Sequence, residues 1–150
     1  MTKIPEGLSS ITPFISFENP SEAIEFYKKS LGAEVIVSLP APNGDIMYAE
    51  LQIGSSRIMV GKSGEECSGN SIEHYGGSPV SFYIYVDNVE ASFSKAKSAG
   101  MTDKQEITDM FWGDRMGTLK DQYNMVWSIA EHVREVSPEE MQEAMEKMAS

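Results

Sequence analysis

Cysteine, histidine and positive charge are what this chain lacks. Cys67 is its one cysteine, His74 and His132 are its two histidines, and 12 Lys and Arg stand against 23 Asp and Glu in 150 residues. A lone cysteine closes no intramolecular disulfide, which excludes a disulfide-stapled scaffold and points to a reducing cytoplasm. Cys and His are also too few for a zinc finger. A formal charge of −11 argues against a nucleic-acid partner, because phosphate binding needs clustered Lys and Arg. No apolar run approaches the ~20 residues of a membrane span, and the opening MTKIPEGLSS lacks the charged and apolar regions of a signal peptide. A disordered acidic tail is excluded as well, since 41% of the residues are hydrophobic, enough to build a core. A soluble, acidic, cytoplasmic globular protein is expected.

What is present is a pattern that occurs twice. Ile11 to Phe17 alternates at period two, as a strand does. Asn19, Pro20 and Glu22 form a helix start, with a capping side chain, a proline suited to the first turn and an acid placed for a capping box. Ala23, Ile24, Tyr27 and Leu31 follow at helical spacing, and Gly32 ends the helix. Ser81 to Val86 is again β-branched and aromatic, Asp87-Asn88 starts a second helix bearing Val89, Phe93 and Ala96, and Gly100 closes it. The acidic-Asn corners lie 69 residues apart and the closing glycines 68 apart. An offset of 69 also matches Ile46–Ile53 to Arg115–Gln122 and Ile58–Val60 to Trp127–Ile129. A shared offset through several elements predicts duplication.

Each copy reads β-α-β-β-β. Halves this short cannot each close a core, so they are expected to pack together. The predicted organisation is a first module over about residues 8–61, an exposed Gly/Ser-rich linker over 62–79, and a second module over about 80–132. A C-terminal helix is expected over 138–149. Ser137-Pro138-Glu139-Glu140 caps that helix, and Met141, Ala144, Met145 and Met148 share one face. That face is expected to dock on the sheet, with binding to a partner as the alternative.

Paired βαβββ modules carrying ITPFISFENPSEAIEFYKKSLGAE (11–34), YAELQIGSSRIMV (48–60), FYIYVDN (82–88), FWGDRMG (111–117) and the SPEEM helix start (137–141) resemble the vicinal oxygen chelate superfamily. Glyoxalase I, extradiol dioxygenases and bleomycin-resistance proteins belong to it, and this chain is most similar to its PhnB-like group. The resemblance implies an α+β fold in which two paired βαβββ modules form a curved, mixed β-sheet cleft. It also implies a homodimer. The superfamily's metal enzymes place four ligands in that cleft, and the matching positions here are Thr12, Met59, Ser81 and Ser128. Hydroxyls are weak neutral donors and a thioether is a soft one, so this set is unsuited to Zn²⁺, Ni²⁺ or Fe²⁺. No metal and no cofactor are therefore expected. The group's Asp-Pro-Phe-Gly-His turn is replaced by Asp121 to Met125, where Asn124 can still take the left-handed conformation of the usual glycine.

By strand alternation, Thr12, Phe14, Met59, Ser81, Tyr83 and Ser128 should line the cleft, an apolar pocket with a few hydroxyls that suits a small organic ligand. Trp112 and Arg115 stand out as rim residues, because a guanidinium beside an aromatic face can grip a carboxylate or stack on a flat ligand. The plainer reading makes Trp112 core filler and pairs Arg115 with Asp114 or another acid. The alternative is a lyase or isomerase of the same superfamily that uses a non-standard metal site or Glu50 as general base, although an exposed strand face is the simpler role of Glu50. His74 and His132 read as surface residues. Cys67 has no neighbouring base to activate it.

Overall fold

In the computed structural model, which describes residues 3–65 and 69–150, the first module runs β1 (Phe14–Phe17), α1 (Pro20–Leu31), β2 (Glu34–Pro40), β3 (Ile46–Ile53) and β4 (Ser56–Lys62). After the short helix α2 (Ile72–Tyr75), the second module runs β5 (Phe82–Tyr85), α3 (Val89–Ser98), β6 (Thr102–Asp109), β7 (Asp114–Lys120) and β8 (Val126–His132). Helix α4 (Pro138–Ala149) ends the chain. The modules form two four-stranded mixed sheets of the same topology, β1-β4-β3-β2 and β5-β8-β7-β6. This is the expected α+β arrangement. Cys67 lies outside the described residues.

Local chemistry accounts for the helix ends. The Asn19 side chain accepts from the Glu22 backbone N–H, and that of Asn88 from Ala91, satisfying donors that the first turn leaves free. Gly32 ends α1 at φ 67°, a left-handed conformation that costs glycine little. Asn124 takes the same region at φ 64°, as its place in the β7–β8 turn predicts.

The duplication extends to strand register, with one slip. Phe14 sits opposite Met59 in β1–β4, and Tyr83, 69 residues on, sits opposite Ser128 in β5–β8. Tyr48 opposes Gly61 and Glu50 opposes Met59 in the first hairpin; Met116 opposes Ala130 and Thr118 opposes Ser128 in the second. The inner strands β3 and β7 are therefore related by 68 residues, because the second hairpin turn is one residue longer. A one-residue shift exchanges the faces of a strand. It moves Arg115 to the helix-covered face and Asp114 to the cleft face.

Ala49, Leu51, Ile58, Val60, Leu119, Trp127 and Ile129 alternate onto the faces covered by α1 and α3, and buried residues of both modules merge into one core. The core is tied across the modules by Asp121, which is 3% exposed. Its Oδ2 accepts from the Tyr27 hydroxyl of α1 at 2.6 Å and from Trp127 Nε1 at 2.9 Å. Its Oδ1 accepts from the Tyr123 and Met125 backbone N–H groups at 2.8 and 3.0 Å. Burial, then the neighbouring carboxylate, raises the Tyr27 pKa well above the phenol range, so its hydroxyl stays a donor.

Two expectations are corrected. The 62–79 connection is not wholly exposed, since Ile72 of α2 is buried in the core. Helix α4 does not lay its methionines on the sheet. None of its residues is buried, and Met145 and Met148 are 56% and 72% exposed. Helices α1 and α3 already cover the apolar faces of the sheets. The chain leading to α4 is pinned elsewhere, with the Val133 and Arg134 N–H groups both donating to Gly113 O.

Tyr27→Phe is expected to lower unfolding stability by ~1–2 kcal/mol, the scale of one hydrogen bond to a charged group. Asp121→Ala, which strands several buried donors, should cost clearly more. Urea denaturation followed by tryptophan fluorescence measures both, and equal effects would contradict the role given to Asp121.

Candidate functional site

The cleft-side face of the second module is organised by a different aspartate. Asp114 opens β7 opposite His132, the last residue of β8, and is 1% exposed. Its Oδ2 accepts from the Tyr83 and Tyr85 hydroxyls at 2.7 and 2.8 Å and from Trp112 Nε1 at 3.0 Å. Trp112 Nε1 also lies 3.2 Å from the Tyr83 hydroxyl. Asp114 Oδ1 stands 2.8 Å from His132 Nδ1, and the other ring nitrogen is 3.1 Å from Glu135 Oε1.

Small residues make this geometry accessible. The tyrosines belong to the edge strand β5 and must cross β8 to reach Asp114 on β7. The β8 residues facing them are Ser128 and Ala130, and Ala130, although on the cleft face, is 0% exposed. Gly113 shapes the preceding turn at φ 102°, and a Cβ there would lie 2.1 Å from Arg134 O. Gly117 lets Phe93 of α3 close on β7, where a Cβ would meet its ring at 2.5 Å. The FWGDRMG segment is thus a turn, a carboxylate hub and a helix contact in consecutive residues.

The hub sets the protonation of its neighbours. Burial alone would push the Asp114 carboxyl up, but the hydrogen bonds from His132, Tyr83, Tyr85 and Trp112 outweigh it and hold the group below the ordinary carboxylate value. Burial, with the bond to Asp114, pushes Tyr83 up to about 12, and Tyr85 is raised chiefly by its bond to Asp114. The bonds to Asp114 and then Glu135 raise His132 above the ordinary imidazole value.

The first module carries a different network, nearer its hairpin turn, where Glu50 is the counterpart of Thr118. Glu50 lies on the cleft face with its side chain 13% exposed, ion-paired to Arg57 Nη1 at 3.3 Å and accepting from the Tyr48 hydroxyl at 3.1 Å. Arg57 Nε donates to Gln52 at 3.0 Å. Phe14 and Tyr48 pack with ring centroids 6.1 Å apart. A groove of about 320 Å³ between the modules is lined by Thr12, Arg57, Tyr83, Tyr85 and Trp127 among others. A larger cleft of about 1000 Å³ runs past Phe14, Tyr75, Phe82 and Asn124, much of it bounded by the 69–80 connection.

Of the residues expected at the site, the structure brings Tyr83 and Trp112 together on Asp114 and sets Thr12 at the mouth of the smaller groove. Ser128 shares the face, 3.1 Å from Thr118 Oγ1. Phe14 and Met59 lie opposite one another in the first sheet. Ser81 immediately precedes β5, and Thr12 lies two residues before β1. Arg115 is not at the rim: it points to the helix layer and pairs with Glu90 of α3 at 2.6 Å. Asp114, Tyr85 and His132 are not among the residues expected at the site: the sequence offers Asp114 only as a partner for Arg115 and His132 as a surface residue. Tyr85 shares the period-two face of Tyr83, but His132 meets Asp114 only through strand register.

Among the described residues, no three Cys, His, Asp or Glu side chains are arranged to hold a metal ion. Thr12, Met59, Ser81 and Ser128 supply hydroxyls and a thioether, which do not fit the divalent ions of the metal enzymes. None of the described helices is long and apolar enough to cross a membrane.

A family model described as the Glyoxalase/Bleomycin resistance protein/Dioxygenase superfamily matches residues 11–129. A Mycobacterium bovis protein, Uncharacterized protein Mb0911c, is 33% identical over 139 residues, covering 91% of each chain. Among solved structures, TioX from Micromonospora sp. ML1 superposes with TM-score 0.68 at 23% identity, covering 83% of this chain and 99% of its own. A PhnB protein from Bacillus cereus superposes with TM-score 0.61 at 18% identity, covering 82% and 99%.

Replacing Asp114 with Asn should drop the His132 pKa toward the ordinary ~6.5, read from its ring proton shifts by NMR titration. In the native protein the stabilisation from protonated His132 is present below the ordinary imidazole pKa and fades as pH rises through the elevated folded value. An unchanged His132 titration in the Asn variant would contradict the assignment.

Proposed function

We propose that this chain, which belongs to the Glyoxalase/Bleomycin resistance protein/Dioxygenase superfamily, is a metal-free binding protein for a small organic molecule. The observation that carries this reading is the chemistry of its cleft face. Tyr83, Tyr85 and Trp112 are held on Asp114 beside a groove of about 320 Å³. Hydroxyls and a thioether stand where the family's metal enzymes have ligands. An apolar, aromatic concavity with a few fixed polar groups is what a ligand of modest size needs. Because one fold hosts many chemistries, the residues of the site carry the argument. Glu50, the candidate base of the enzymatic alternative, is engaged with Arg57 and Tyr48, which favours binding over proton abstraction at that position.

A homodimer is part of the proposal. Val35, Ile36 and Leu39 of β2 and Met145 and Met148 of α4 are exposed apolar side chains that a second copy would cover. The single cysteine supports a reducing, cytoplasmic setting.

Protein purified without chelator is expected to contain well under one equivalent of Zn²⁺, Ni²⁺, Fe²⁺ or Mn²⁺ by elemental mass spectrometry. Its melting temperature should rise with organic ligands and stay unchanged on adding those ions. Stoichiometric metal lost together with ligand binding on Met59 or Ser128 substitution would overturn the reading.

A further inference from the structure

With the binding reading above as its premise, we infer that the ligand presents an organic cation, of the methylated or quaternary ammonium kind, to the rings of Tyr83, Tyr85 and Trp112. These side chains reach one carboxylate oxygen, Asp114 Oδ2, at 2.7, 2.8 and 3.0 Å, and that shared anchor sets their positions relative to one another. Their polar ends are turned to Asp114, so the exposure of Tyr83 and Tyr85, 43% and 60%, falls on the rings. The two tyrosine rings stand 5.4 Å apart at 52°, an open corner, and both line the groove.

The faces of aromatic rings attract cations through the ring quadrupole. Donation of the ring's own O–H or N–H to a carboxylate adds electron density to the ring and strengthens that attraction. The local charge points the same way. Asp114 is buried at the polar ends of the rings, and Glu135 lies on the far side of His132. His132, a positive charge only when protonated, meets Asp114 at Oδ1, away from the tyrosines. Arg57, which also lines the groove, has its charge offset by Glu50 at 3.3 Å. Arg115, which would have favoured an anion, is committed to Glu90 on the opposite face. An anionic ligand would have to approach the Asp114 carboxylate, whereas a cation is drawn to it. A formal charge of −11 adds long-range attraction for cations.

Three probes of one shape separate these terms: choline, its neutral carbon isostere 3,3-dimethylbutan-1-ol, and the anionic 3,3-dimethylbutanoate. The readout is the Trp112 indole N–H resonance in a titration to tens of millimolar. Choline is expected to shift Trp112 and to bind about tenfold more tightly than the neutral isostere, the scale of a partly desolvated cation–π contact. Tyr85→Leu should remove most of that preference, while Tyr85→Phe, which keeps the ring, should retain much of it. Equal affinity for the isostere, or tighter binding of the carboxylate, would overturn the cation assignment while leaving the binding reading standing. Absence of any Trp112 shift with choline would overturn it as well. The binding reading itself fails separately, on the metal analysis.

Discussion

The buried carboxylate of Asp121 is the constraint on which the arrangement of the two modules depends. It sits in the second hairpin turn, and its partner Tyr27 comes from the helix of the other module, at 2.6 Å. An ionised group at this depth is costly unless its lone pairs are satisfied. Here they are met by a phenol, an indole and two backbone N–H groups. The Tyr123 and Trp127 rings pack with their centroids 6.4 and 5.4 Å from that of Tyr27. Breaking this cluster would remove the buried tie between α1 and the second hairpin.

The same device recurs at Asp114, where it serves the cleft rather than the core. Two copies of one module have diverged here. The positions of Tyr83, Tyr85, Ala130 and His132 are held by Phe14, Ser16, Gly61 and Ser63 in the first module. The first module instead pairs Glu50 with Arg57. The cleft is thus asymmetric, with a neutralised ion pair on one wall and aromatic rings backed by an anion on the other.

Much of the fold was legible because its signals are local. Asn19 and Asn88 as caps, Gly32 as a stop and period-two strands each follow from the physics of a few adjacent residues. The repeat joined those pieces into a topology. The site was less legible because it depends on register. Arg115 stood out as a guanidinium near Trp112, but the 69-residue offset is off by one in β7, so neither signal tells which of Asp114 and Arg115 faces the cleft. His132 looked like an isolated surface histidine because its partner lies 18 residues away on the neighbouring strand. Helix α4 has the pattern of a docking helix, but amphipathicity states only that a face needs cover, not what supplies it.

The central claim is that the second module's cleft face, organised by Asp114, is where a small molecule binds. Its most direct test is a map of backbone and indole chemical-shift changes on saturation with the tightest ligand found in a broad metabolite screen. The account predicts changes concentrated at Tyr83, Tyr85, Trp112, Asp114 and His132, and abolished in the Asp114→Ala protein while its fold is retained. Changes confined to the first module's Glu50–Arg57 wall, or to α4, would contradict it.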